Sequence, residues 1–300
     1  MRDVKPFTSY EEQIKILRSR GCVVESDEEC RQQLSRINYY RLSAYFLPYK
    51  NDDGNYAAGT SFCRVIDTYE FDRKLRNIIM LALEETEANL RSKLAYFHAQ
   101  KYGALGYLDP DTHTQEKNKA KKRYNHAAFL KLFWGQVSSN DTSLVARHHM
   151  KEYGGNFPIW VAVEFFTFGM LSRFYSDMKP ADRRKFARDV FSCREADRIE
   201  SWLRCCTDLR NVCAHYGRLY YRIFTAIPSG ITPAMPASKD KYTHRRLLPA
   251  IMAIRRLYPD LKKWNGEVVE PISALIAQYE TSINLSHIGF PNNWEELLRR

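Results

Sequence analysis

No stretch of the chain runs apolar for the about 18 residues that a membrane-spanning helix needs, and Met1 to Leu17 carries charges and Pro6 where a secretion signal needs a continuous apolar core. A soluble, cytoplasmic protein that makes no membrane contact is therefore expected. No Cys-x-x-Cys pair occurs, and the seven cysteines are odd in number and unevenly spread, with Cys205 and Cys206 adjacent. That distribution fits reduced thiols better than a disulfide framework. The His148-His149 pair has no cysteine near it, so the ligand spacing of a closed zinc site is missing. A His-Glu-x-x-His helix and a recognisable cluster of carboxylates are missing too, which disfavours a metal-dependent nuclease or hydrolase. No metal and no other cofactor is expected. Nothing alternates with period two long enough to demand a sheet, and no repeat of fixed period is visible.

What remains is a mainly α chain of 300 residues, 44% apolar and 13% aromatic, enough to supply a real core. Forty-six Lys and Arg against 35 Asp and Glu leave a net charge of +11, which favours phosphate-rich partners if the charge is clustered. Two clusters stand out. "KNKAKKRYNH", residues 117–126, has five cations and no acid, and Lys121, Lys122 and Arg123 are its candidate substrate contacts; "KPADRRKFAR", residues 179–188, has five cations against one aspartate. On charge alone each reads equally as a solvated face or as part of a nucleic-acid groove.

Along the chain, Ser9 and Glu12 fit a capping box opening a short helix to about Ser19, stopped by Gly21. Asp27 opens a second helix, and the aromatic cluster of residues 37–50 completes a compact N-terminal helical module, residues 1–50, too small to stand alone. Residues 51–62 read as turn and loop. The longest periodic stretch, 62–102, predicts one long helix or two nearly collinear ones ended by Gly103. Residues 104–123 read as a loop or excursion. Helices are expected over about 125–137, 141–153, 158–178, 180–191 and 195–214, then, beyond a loop rich in Pro, Ser and Gly, over 242–258 and 267–283. The division is thus 1–50, a helical core over 61–222, and a C-terminal helical extension over 223–300.

The chemistry concentrates in "RNVCAHYGRLYYR", residues 210–222. It ends a helix whose apolar stripe is Ile199, Trp202, Leu203, Cys206, Leu209, Val212 and Cys213. Asn211 and His215 lie four apart and share another face, and Arg210 is offset by about 100° from Asn211. Tyr216-Gly217 is expected to end or bend the helix, with the glycine taking the left-handed turn. These groups suit transesterification of RNA. A histidine, with an ordinary pKa near about 6.5, takes the proton of a ribose 2′-hydroxyl or gives one to the leaving 5′-oxygen. An arginine holds the charge that builds on the phosphate oxygens, and an asparagine fixes the imidazole or binds the phosphate. Such short patterns also arise by chance: Arg91 and His98, seven apart on one helix, make a second hit that reads as a decoy, with Arg91 free to line a groove.

"RNVCAHYGRL" resembles the Arg-Asn-x-x-Ala-His-x-x-Arg-Leu signature of bacterial Abi proteins, the AbiD/AbiF type of abortive-infection protein within the HEPN superfamily of α-helical ribonucleases. "KPFTSYEEQIKILRSRG", "RINYYRLSAYFLPY", "YEFDRKLRNIIMLALEETEANLRSKLAYFHAQKYG" and "FPIWVAVEFFTFGMLSRFY" resemble the same family in the expected order, covering most of residues 5–222. The resemblance implies a HEPN-type antiparallel helical bundle, an RNA substrate, metal-independent cleavage and a role in phage defence. It places the catalytic groups on Arg210, Asn211 and His215 and a following substrate-binding arginine on Arg218. Tyr216 departs from the pattern, standing where many relatives have a second histidine, and "LYY" at 219–221 replaces a commoner Leu-Trp-Asn. Because HEPN ribonucleases generally build one site from two motifs and this chain has one convincing copy, the resemblance also implies a homodimer. A small structured non-coding RNA is a further partner that the family suggests. The competing reading is a non-catalytic module that only grips RNA or a protein.

Overall fold

The computed structural model describes residue 4 and residues 6–114, 125–231 and 242–299. Lys121, Lys122 and Arg123 lie outside the described residues, as does most of the first basic run. The described residues are helical, joined by turns and a few isolated bridges, and no helix among them is long and apolar enough to cross a membrane.

The N-terminal helices follow local capping chemistry. α1, Tyr10–Ser19, opens on the capping box: Ser9 Oγ accepts from the Glu12 amide at 3.2 Å, and the Ser9 amide donates to Glu12 Oε2 at 2.6 Å. Gly21, at φ 86°, lets the chain turn into α2, Asp27–Arg36, capped by Ser26. The short α3, Tyr39–Ser43, leads into a 3₁₀ turn at Leu47–Tyr49. The 62–102 periodicity is realised as a single 41-residue helix, α4, Phe62–Tyr102, which Gly103 ends at φ 76°.

α5, His126–Ser139, and α6, Leu144–Glu152, follow the described part of the excursion. The expected helix over 158–178 is not continuous. It divides into α7, Ile159–Ala162, a 3₁₀ turn at Val163–Phe165, and α8, Phe168–Ser176, because Phe166 is extended and Thr167 starts a new helix by accepting the Met170 amide on its hydroxyl. α9, Pro180–Phe191, and α10, Ala196–Ala214, complete the central region. From residue 242 onward come α11, Leu247–Leu257; α12, Leu261–Trp264; α13, Glu270–Gln278; and α14, Trp294–Arg299. The helix expected at 267–283 starts earlier, at Leu261, capped by Asp260, and a π-helical segment at Asn265–Val269 joins α12 to α13.

α10 is the centre of the packing, flanked by α4, α8, α9 and α11, while α13 and α11 also cover α4. Its predicted stripe is buried at Ile199, Trp202, Leu203, Cys206, Leu209 and Cys213, with Val212 half-buried. One contiguous apolar cluster runs from Ile14 in α1 to Leu298 in α14, so the C-terminal helices complete the same core. The cysteines are all free thiols, and burial pushes Cys213 up to about 12, which keeps it protonated and inert. The second basic run is largely engaged by carboxylates: Arg183 pairs with Asp197 and Glu200, and Lys185 and Arg188 with Asp189.

Candidate active site

α10 ends in a hydrogen-bond pattern that explains the spacing of the motif. His215 caps the helix, its amide bonded to Asn211 O at 3.1 Å. The Tyr216 amide then reaches back to Cys213 O at 3.1 Å and the Gly217 amide to Val212 O at 2.7 Å, which is the paired closure of a Schellman motif. The left-handed residue is Tyr216, at φ 55°, and not the glycine that the sequence suggested. Gly217 is required for a different reason: a Cβ there would lie 2.9 Å from Val212 O and 2.8 Å from its Cγ1. A tyrosine in the left-handed region costs roughly 1–2 kcal/mol relative to glycine.

The strap after the helix is held from α4. Asp72 is fully buried and its carboxylate accepts from Tyr45 Oη at 2.7 Å, Arg76 Nη1 at 2.5 Å, and the amides of Leu219 and Tyr220 at 3.0 and 2.7 Å. Arg76 also donates to Gly217 O at 3.3 Å. Burial pushes the Asp72 carboxyl up, against the opposing pull of Arg76 and the surrounding donors. Two arginine–carbonyl bonds cross between the N-terminal helices and the strap: Arg41 donates to Tyr216 O, and Arg218 to Ala44 O at 2.5 Å. Arg218 also sits over the Tyr45 ring, 6.0 Å from its centroid. Its head group is thus directed into the protein, where burial lowers its pKa.

The proposed catalytic residues have a different setting. Arg210 lies at the edge of a cleft of about 300 Å³ between α4, α5 and the break at Phe166–Thr167. Its Nε is 3.7 Å from Glu87 Oε2 and makes no hydrogen bond among the described residues. Glu87 simultaneously binds Arg91 Nη2 at 2.5 Å, and the same nitrogen donates to Phe166 O at 2.7 Å, a carbonyl that the helix break leaves available. Arg91 therefore lines the Arg210 cleft. His98, its partner in the second pattern, does not. It is buried among Tyr102, His113 and Phe174, and burial lowers its pKa to about 4.

Asn211 and His215 are exposed on one face of α10, and among the described residues no hydrogen bond or ion pair joins either side chain to Arg210. Five residues of helix rotate Arg210 and His215 by about 140° from each other. A single chain thus offers the two groups on different sides of the helix end. Asp72, Arg76 and Glu87 are the site residues that sequence reasoning missed. The signal available was the i, i+4 spacing of Asp72–Arg76 and Glu87–Arg91 in α4, which a sequence alone reads as solvent-facing ion pairs.

A family model described as Abi-like protein matches residues 32–221, more than half of the chain, including α4, the helix break and residues 210–221 of the motif. The chain belongs to the Abi-like protein family. In this Abi-like protein the matched segment starts within α2 and ends at Tyr221, in the strap that Asp72 holds, so α11 to α14 lie outside it. Neither a curated protein nor a solved structure matches the chain.

Proposed function

We propose that this Abi-like protein is a HEPN-type, metal-independent endoribonuclease of an abortive-infection system that defends against phage, and that it works in the cytoplasm as a homodimer. The observation that carries this reading is His215, an exposed imidazole without a side-chain partner among the described residues, at the end of α10 and five residues from an arginine at the edge of a cleft. In the reaction, the neutral imidazole takes the proton from a ribose 2′-hydroxyl, whose oxygen attacks the adjacent phosphorus. Arg210 stabilises the charge on the non-bridging oxygens, and Asn211 orients the imidazole or the phosphate. The P–O5′ bond breaks and an imidazolium gives its proton to the departing 5′-oxygen, leaving a 2′,3′-cyclic phosphate and a 5′-hydroxyl. The nucleophile belongs to the substrate, so the step needs no metal-bound water.

The angular separation of Arg210 and His215 supports a shared site. A two-fold axis beside residues 210–218 brings the same surface from both chains together and supplies the second imidazole. The exposed rings of Tyr96 and Trp160 line an apolar groove of about 630 Å³ near the Arg210 cleft, surface of the kind that association covers. A non-catalytic RNA- or protein-binding module is the second reading, favoured by the Glu87–Arg210 pair, which engages the arginine before any substrate arrives.

The test is to incubate the protein with total RNA in EDTA and map the ends. Cuts bearing 2′,3′-cyclic phosphate that vanish in His215→Ala and Arg210→Ala are expected. Folded variants that cut like the wild type would overturn the assignment of the site to Arg210 and His215, and a wild type that binds RNA without cutting it would leave the binding module as the better reading. Mixing wild type with excess His215→Ala subunits should depress activity below the wild-type fraction; strictly proportional loss would exclude the shared site.

A further inference from the structure

A second cleft, of about 560 Å³, opens on the other side of the α10 end, lined by Arg41, Tyr69, Arg73, Arg76, Asn77 and Tyr216 among others. Among the described residues no carboxylate lines it. The two acids nearest its arginines are already committed: Asp72 is buried on Arg76, and Glu70 holds Arg73 through an exposed i, i+3 pair, a kind of contact that a phosphate displaces at little cost. Arg73 and Asn77 are exposed on adjacent turns of α4, and Ala214 and Tyr216, the neighbours of His215, form the opposite wall.

Tyr216 is the unusual element. The residue is 70% exposed and its ring makes no aromatic or cation contact among the described residues, yet its backbone is left-handed. Tyr221 shares that backbone conformation but uses its ring, against His287 at 5.1 Å and under Arg246 at 4.5 Å. Packing therefore accounts for Tyr221 and not for Tyr216. Strained residues whose side chain stabilises nothing inside the fold point to work outside it.

We infer that this cleft is a single-strand RNA subsite in which an unpaired base next to the scissile phosphate stacks on Tyr216 while Arg41 and Arg73 grip the flanking phosphates. The inference rests on the ribonuclease reading for its ligand and names which part of the substrate is held. A stacking platform tolerates any base, because every base has a π-face, and it demands an unpaired one. Arg41 reaches in from α3, so the N-terminal module supplies one wall of the subsite.

The test uses the full chain and a short single-stranded 2′-O-methyl RNA, which has no 2′-hydroxyl to attack. Tyr216→Asn removes the ring while relieving the backbone, since asparagine accepts the left-handed region. It should raise the melting temperature, weaken binding about tenfold, and leave the salt dependence unchanged. Tyr216→Phe should bind like the wild type. Arg41→Gln with Arg73→Gln should flatten the salt slope by about 1.4, two single-strand phosphate contacts at about 0.7 each. The inference is overturned if Tyr216→Asn binds normally or melts lower, if Tyr216→Phe loses affinity, or if a duplex of the same sequence binds as well. Binding with the expected pattern but no cleavage of natural RNA would sink the ribonuclease reading alone; cleavage with no Tyr216 effect would sink this inference alone.

Discussion

In the first half of the motif, the side chains of Arg210, Asn211 and His215 make one ion pair among the described residues, Arg210 with Glu87 at 3.7 Å, whereas in the second half the Gly217 carbonyl, the Arg218 side chain and the Leu219 and Tyr220 amides all find partners on α4 or at the end of α3. The two halves are adjacent in sequence and equally polar on paper. Their difference is one of commitment: the second half is spent on fixing the chain, and the first is left open above the surface that fixing creates. A motif read from sequence merges these duties, and the structure separates them residue by residue.

The sharpest way to break that comparison is to exchange the expected effects. His215→Ala should cost roughly 10²–10⁴ in cleavage rate with stability within about 0.5 kcal/mol of wild type. Asp72→Ala strands Arg76 and two backbone amides in the interior and should cost about 3–5 kcal/mol in urea denaturation. If His215→Ala destabilised as much as Asp72→Ala, the division would not hold.

Acid should also weaken the buried interior that supports the motif. Burial lowers His98 and His113 to about 4, so between about 6.5 and 4 the unfolded chain takes up their protons and the folded chain does not. Stability must therefore fall as pH falls through that window, by at most about 3 kcal/mol for each histidine. Asp177, raised to about 6 by burial, acts in the opposite sense, since its folded carboxyl takes a proton first, and it offsets part of the loss. Chemical denaturation at a series of pH values should show the net decline, and His98→Phe should reduce it.

Smaller effects sharpen the boundary. Arg218→Gln should lower stability by about 1–3 kcal/mol, through the lost Ala44 bond, and leave affinity for uncleavable RNA unchanged. An affinity loss without destabilisation would return Arg218 to the substrate side. Glu87→Gln weakens the hold on Arg91 and Arg210 and should lower kcat about tenfold with KM nearly constant. A rise in kcat would instead identify the carboxylate as a brake on Arg210.

Much of the fold was legible because helix periodicity and capping are local. Ser9 with Glu12, the α10 stripe and the long α4 pattern each follow from residues within a few turns of each other. The break at Phe166–Thr167 was not legible, since the run from Phe157 to Tyr175 is apolar enough to pass as one helix and the deciding hydroxyl is a single threonine. The candidate site was half legible. Arg210 and His215 stand out by type and spacing, but Arg91 joins Arg210 through Glu87 only in three dimensions, and the burial of the Asp72–Arg76 pair depends on helices far away in sequence. Tyr216 was noticed as a departure, yet its backbone conformation is set by the helix closure around it.

The 41-residue α4 has one more consequence. It meets α10 and the strap at two stations, Asp72 under Leu219 and Tyr220, and Glu87 beside Arg210. At 1.5 Å per residue these stations stand about 22 Å apart along one unbroken rod. A slide of α10 by a single turn would detach both together, because a rigid gauge allows no compromise spacing between its marks. The register of the motif is therefore all or none: it either fits the gauge or leaves it, and gradual adjustment of one end against the other is denied to it.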